Sequence, residues 1–140
     1  MKVLIDTSVW SLVFRRKSES DIAKSIEQEL RSLIKSGSVE LIGAIRQEIL
    51  SGISSEIVFK KLVIALQEFS DLLVNSDIHV KAAECFNICR SKGIQGSHTD
   101  FLICAVSIFY NIPIFTLDKD FENYKKYLPI SLHDYLRINN

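Results

Sequence analysis

Carboxylates carry the chemistry open to this sequence. Asp6 ends the apolar run Val3-Leu4-Ile5, Asp118 lies just beyond Ile112 to Phe115, Asp100 opens the apolar stretch Phe101 to Tyr110, and Glu48 precedes Ile49 in a helically spaced segment. Brought together, such groups hold hard cations: Mg²⁺ takes octahedral oxygen ligands, keeps several waters, and needs only one or two direct carboxylates beside a substrate phosphate. Ions bound this way drive phosphodiester hydrolysis without a histidine base. Histidine offers the competing route, in which paired imidazoles cleave RNA through the ribose 2′-hydroxyl. Its support is thin. His79 falls in a helical pattern, His133 near the C-terminus, and only His98 neighbours one of the acids, where a turn or helix-cap role is the ordinary one. A haloacid-dehalogenase-type phosphatase starting at Asp6 needs a second Asp two residues on, and Ser8 stands there. Each acid, taken singly, also has an ordinary role: a helix-start acid at Asp100, a turn residue at Asp118, a solvated helix residue at Glu48.

An α/β framework would gather these residues. Val3 to Ile5, Val39 to Ile42, Leu72 to Val74 and Ile112 to Phe115 are short and apolar, which predicts four strands of a covered parallel sheet. Between them Ile22, Ile26, Leu30, Leu33 and Ile34 share a helical face, with N-cap residues in Ser18 to Asp21 and a stop at Gly37. Ile45, Ile49 and Ile53 predict a second helix, Val58, Leu62, Ala65, Leu66 and Phe69 a third, and Val80 to Cys89 a fourth. Phe101 to Tyr110 is apolar on every side, the mark of a helix buried in the middle of a domain. Right-handed crossovers put helices on both faces, giving a three-layer α/β fold around a central parallel sheet. Asp6 and Asp118 then emerge at the carboxyl edge of the strands, where open α/β sheets bind ligands. Glu48, on the flank of its helix, can look toward that edge. Asp100 sits where free backbone N–H groups favour a carboxylate.

Composition limits what else the chain does. At 140 residues and 47% hydrophobic, residues 1–140 read as one domain able to bury a core without disulfides or a structural metal. No apolar run approaches the roughly 20 residues of a membrane span, and the first run stops at Asp6, so a cytoplasmic protein with no membrane contact is expected. Cys85, Cys89 and Cys104 lie in helical apolar patterns and suit reduced core thiols. Seventeen basic and seventeen acidic residues leave no net charge, so any grip on nucleic acid must be local. Arg15-Arg16-Lys17, Lys60-Lys61 and Lys125-Lys126 are the basic runs; Arg15 and Arg16, a short helix beyond the first strand, are the candidate RNA contacts.

The acids occur in order and in distinctive local sequence. Asp6-Thr7-Ser8-Val9-Trp10 after an apolar strand, Arg46-Gln47-Glu48-Ile49-Leu50, Thr99-Asp100-Phe101-Leu102-Ile103-Cys104-Ala105, and Ile114-Phe115-Thr116-Leu117-Asp118-Lys119-Asp120-Phe121 together resemble PIN domains. Nearest in kind are the VapC-type toxins of prokaryotic toxin–antitoxin pairs, and the likeness covers nearly the whole chain. It implies a PIN-like fold and a Mg²⁺- or Mn²⁺-dependent endoribonuclease, with a PIN-like protein-binding module without nuclease activity as the alternative. The family's acids fall on Asp6, Glu48, Asp100 and Asp118, and Asp120 shares or exchanges the role of Asp118. Asp6 and Asp100 would be the principal metal ligands, Asp118 and Glu48 would hold bound waters or a second ion, and Ser8 and Thr116 would orient that shell. The segment before Glu48 is longer than in the shortest relatives, which makes its assignment the loosest. The resemblance also implies a small antitoxin partner. Trp10, Leu12, Val13, Phe14 and the helix bearing Ile22 and Ile26 hold more apolar bulk than one face of a small domain requires; whatever part is exposed would receive an antitoxin tail or build a homodimer.

Overall fold

In the computed structural model, which describes residues 1–15 and 20–135, every strand of the sheet runs parallel. The chain begins with β1 (Val3–Ile5), α1 (Thr7–Phe14), α2 (Asp21–Lys35) and β2 (Val39–Glu40), continues through α3 (Gly43–Leu50), α4 (Glu56–Leu66), α5 (Ser76–Ser91) and α6 (His98–Tyr110), and closes with β3 (Ile114–Phe115) and α7 (Asp120–Lys125). The sheet order is β2-β1-β3, with Val3 opposite Val39 and Leu4 opposite Ile114. Moving from β1 to β2 goes one way across the sheet, and returning to β3 goes the other. Right-handed crossovers in opposite directions place their helices on opposite faces. Accordingly α1 packs on α2 and α3, whereas α6 packs on α5 and β3. All three residues of β1 are fully buried, as a strand covered on both faces must be.

Local signals set most boundaries. Ser20 caps α2 by accepting the Ala23 N–H, Asn75 caps α5 through Ile78, and Ser97 caps α6 through Asp100. Gly37, at φ 70°, turns the chain out of α2 in the left-handed region that favours glycine. Ile26, Leu30 and Leu33 form the buried face of α2. Ile22, expected on that face, is 65% exposed in the first turn of the helix. Along α6, Phe101 and Ile103 to Ser107 are buried as predicted, while Phe109 emerges where the helix ends at Asn111. The thiols of Cys85, Cys89 and Cys104 are free and buried, and burial pushes all three above the usual thiol range. No helix among the described residues is long and apolar enough to cross a membrane.

The predicted strand at Leu72 to Val74 is reduced to a single bridge between Asp71 and Leu41, with the Leu72 N–H donating to the Leu41 carbonyl at 2.8 Å. Among the described residues nothing pairs beyond this outer edge, Leu73 is 74% exposed, and the Asn75 cap pulls the chain into α5. The predicted helix through Ile53 stops at Leu50, where Ser51 turns extended and Gly52 follows at φ 82°. On the opposite edge Leu132 bridges to Ile114, and His133 behind it meets Glu29 of α2 at 2.8 Å. α7 carries no apolar run long enough to announce itself in the sequence; Phe121 and Tyr124, one turn apart, anchor it.

Arg46 fastens the α3–α4 unit to the sheet edge. Its guanidinium donates to the carbonyls of Leu66 and Phe69 and pairs with Asp71 at 3.0 Å. Arg46→Met keeps the stem and leaves those acceptors unpaired, so urea unfolding should show a loss of about 2 kcal/mol with an unchanged helical circular-dichroism signal. A loss under about 0.5 kcal/mol contradicts this role.

Candidate metal centre

The strand order reverses at β1, and the crevice at the carboxyl ends of β1 and β3 is where such a sheet receives ligands. Asp6 stands at this point. Its backbone N–H donates to the Phe115 carbonyl at 2.9 Å, extending the β1–β3 ladder by one bond. It is also the N-cap residue of α1, but its side chain makes no cap bond. Instead Oδ2 accepts two hydroxyls, Ser8 Oγ at 2.8 Å and Thr116 Oγ1 at 2.7 Å. Each hydroxyl in turn accepts a backbone amide: Leu117 N donates to Ser8 at 2.9 Å, and Asp118 N donates to Thr116 at 3.0 Å. With one proton apiece, the hydroxyls spend it on Asp6 and accept the amides with their lone pairs. The carboxylate is 6% exposed.

The same hydroxyls shape the loop after β3. Asp118 Oδ1 accepts the Asp120 N–H at 2.9 Å, which starts α7 and swings Phe121 and Tyr124 inward. Tyr124 packs against the rings of Phe101 and Phe121, and its hydroxyl donates to Asp100 Oδ2 at 2.6 Å. Burial pushes the Tyr124 phenol well up and the Asp100 carboxylate beside it raises it further, so it remains a proton donor. A Cβ at Gly96 would collide with the Tyr124 hydroxyl and the Phe101 ring, so only glycine lets the loop pass this contact.

Asp100 is the strained member of the group. Burial raises its pKa first; the Tyr124 and Ser97 hydroxyls oppose that shift, and the charges of Asp118 and Asp6 add to it. Asp100, Asp118 and Asp120 can each bring one carboxylate oxygen within 4.8 Å of the others. Like charges at that spacing repel unless a cation stands among them, and hard oxygen donors of this kind suit Mg²⁺ or Mn²⁺. One oxygen each of Asp6, Asp100 and Asp118 is already fixed by the protein. Aspartates held by one oxygen and crowded against each other fit a divalent ion.

Glu48 stands outside this trio. Its Oε1 accepts the Thr7 hydroxyl at 2.8 Å, which fixes it beside the start of α1, one residue from Asp6. Arg15 is exposed at the far end of α1, roughly 12 Å along the axis from Asp6. Arg16 lies outside the described residues. His98 is not the cap of α6, a role taken by Ser97; it is the first helical residue and stacks on Phe86. Sequence reasoning passed over Thr7, Gly96 and Tyr124. The spacing of Phe121 and Tyr124 held a signal for the last, since a buried phenol needs a partner for its hydroxyl.

Comparisons with known proteins bear on the family and the fold. Among curated protein sequences there is no match. Solved structures that share the fold include three toxin–antitoxin assemblies. VapBC2 from Rickettsia felis bound to a DNA fragment from their promoter aligns with a TM-score of 0.76 at 18% identity, covering 95% of this chain and 98% of that one. FitAcB from Neisseria gonorrhoeae aligns at 0.72 and 17%, covering 95% and 97%. VapBC-1 from nontypeable Haemophilus influenzae aligns at 0.73 and 15%, covering 96% and 98%. The sequence itself matches the PIN domain over residues 3–127, from the first residue of β1 past the end of α7. That match spans every acid of the centre, and the chain belongs to the PIN domain family.

Proposed function

We propose that this chain is a Mg²⁺- or Mn²⁺-dependent endoribonuclease, the toxin of a toxin–antitoxin pair. The observation that carries the reading is the convergence of Asp100, Asp118 and Asp120 on one point at the carboxyl edge of the sheet, facing the charge of Asp6. Asp6 and Asp100 are the principal ligands in this reading, Asp118 and Glu48 hold waters or a second ion, and Asp120 shares the position of Asp118. When bound, the metal supplies an activated water and charge stabilisation for the leaving oxygen. Ser8 and Thr116 hold Asp6 in place through its Oδ2. Tyr124 keeps one oxygen of Asp100 engaged, so its carboxylate cannot rotate freely toward solvent.

A small antitoxin fits the surface as well as the family. Phe14 and Ile22 near the α1–α2 junction, and Ile57, Val58 and Phe59 on α4, are exposed apolar side chains. VapBC and FitAB assemblies provide the structural likeness. A second copy of the chain is the other occupant that such a surface suits. The protein-binding module without nuclease activity makes the same partner contacts, so cleavage decides between them.

Purified protein should cut single-stranded or looped RNA only with Mg²⁺ or Mn²⁺, leaving 5′-phosphate and 3′-hydroxyl ends. Asp6→Asn and Asp100→Asn should each lose more than the roughly 10–100-fold that outer-shell changes cost, while Ser8→Ala and Thr116→Ala should fall within that range. Cleavage that survives excess chelator, or products ending in a cyclic phosphate, would return the chemistry to the histidines.

Asp100 also turns the centre into a stability experiment. Its folded pKa is raised, so protonated Asp100 carries no penalty in acid, and the penalty grows as pH climbs from the unfolded value of about 3.9 through the folded one. Metal-free Asp100→Asn should therefore melt at or above wild type near neutral pH, with the gap closing in acid. Mn²⁺ at a hundredfold excess over its Kd should stabilise wild type by about 2.7 kcal/mol and the variant clearly less. Thermal melts in which metal-free Asp100→Asn is markedly weaker at neutral pH, and Mn²⁺ shifts both equally, would make Asp100 a structural helix-start acid.

A further inference from the structure

Next to the carboxylates, the first turn of α6 and the middle of α5 enclose a hollow of about 480 Å³, within the usual range for small-ligand pockets. Phe86 and Leu102 give it an apolar wall, and His79, Asn87, His98 and Thr99 bring polar groups to it. The rings of His98 and Phe86 lie face to face, with centroids 5.2 Å apart and planes 14° from parallel. Phe101 meets Phe86 edge-on at 5.5 Å, and the Arg90 guanidinium lies 5.7 Å from the Phe86 ring centre, so the Phe86 ring is held by its neighbours. His98 itself is exposed. The hollow and the metal centre share one turn of helix, because His98 and Thr99 directly precede Asp100.

We propose that this hollow receives one unpaired base of the RNA, adjacent to the cleaved phosphate, stacked against His98 and Phe86. The inference rests on the ribonuclease reading of the carboxylates. Single-stranded RNA is recognised by splaying bases onto aromatic side chains and bonding their edges. Asn87 offers both a donor and an acceptor, Thr99 a hydroxyl, and His79 a ring nitrogen, the mixture a base edge requires. In a chain with no net charge any grip on the phosphate backbone is local, and stacking of bases adds to it. A docked protein helix would instead want a long unbroken apolar groove, and this hollow, though mostly apolar, has His79, Asn87, His98 and Thr99 in its lining.

A short single-stranded oligonucleotide with one cut site, together with a set in which each nucleotide in turn is made abasic, tests the proposal in Mn²⁺. With wild type, kcat/KM should fall about tenfold at a single abasic position beside the cut and much less elsewhere. His98→Ala, a surface change, should lower kcat/KM on the intact oligonucleotide by a similar factor, mostly through KM, and should no longer distinguish it from that abasic substrate. Asn87→Ala should shift the preferred base at the same position. Folded variants that cut every substrate as wild type does, or a wild type indifferent to every abasic position, overturn the hollow and leave the nuclease standing. A changed sedimentation coefficient with unchanged kcat/KM makes the hollow a contact between copies and equally overturns it. A wild type that cuts no oligonucleotide overturns the nuclease reading, and this assignment falls with it.

Discussion

Two hydroxyl protons converge on one carboxylate oxygen, and the rest of the centre follows from that. Ser8 reaches Asp6 from the first turn of α1, and Thr116 from the residue after β3. Because both hydroxyls also accept amides from the loop after β3, the charge on Asp6 is transmitted into the position of Leu117 and Asp118. The bonds tie together the two strand ends that flank the switch point. Charge-assisted bonds of this kind are about twice as strong as neutral ones, and Asp6 is buried, so solvent competes little. The Trp10 indole, donating to the Ile5 carbonyl at 3.2 Å, holds α1 against the same strand.

The centre trades stability for readiness. A fold optimised for rigidity alone would place an apolar or amide residue where Asp100 sits, partly buried and facing other acids. The structure contains the repulsion with hydroxyls from Ser97 and Tyr124 instead of removing it. Tyr124 in turn demands Gly96, so a strained carboxylate at the head of α6 dictates a residue in the preceding loop. Strain collected at one place, with the surrounding helices well packed, is what a functional site looks like when the fold around it is consistent at every level.

Much of this was legible in the sequence. The parallel sheet, the buried helix from Phe101 onward, the N-cap of α2 within Ser18 to Asp21, the stop at Gly37, and the family itself follow from short apolar runs, helical spacing and four stretches of local sequence. The strand at Leu72 to Val74 misled because a short apolar run tells that a segment is fit for burial, not whether a neighbour exists to pair with. The trio of acids was only partly visible. Asp118 and Asp120 are two apart, and the bond from the Asp120 amide to Asp118 Oδ1 is what folds them onto Asp100. Glu48 illustrates the remaining gap. Its helix and flank were predictable, but its partner Thr7 lies forty-one residues away, a pairing that only tertiary structure reveals. His98, read as a cap, proved to sit one residue past the cap, where a ring meets Phe86.

The central claim is that these carboxylates hold a divalent ion, and diffraction from crystals grown with Mn²⁺ tests it most directly. Anomalous scattering at the manganese edge locates the ion independently of any activity. The account predicts a peak at the carboxyl edge of β1 and β3, bonded at about 2.1 Å to oxygens of Asp6 and Asp100, with Asp118 or Asp120 close behind. No peak among these acids at saturating Mn²⁺, or a peak bound elsewhere while Asp100 keeps only its Tyr124 bond, would contradict it.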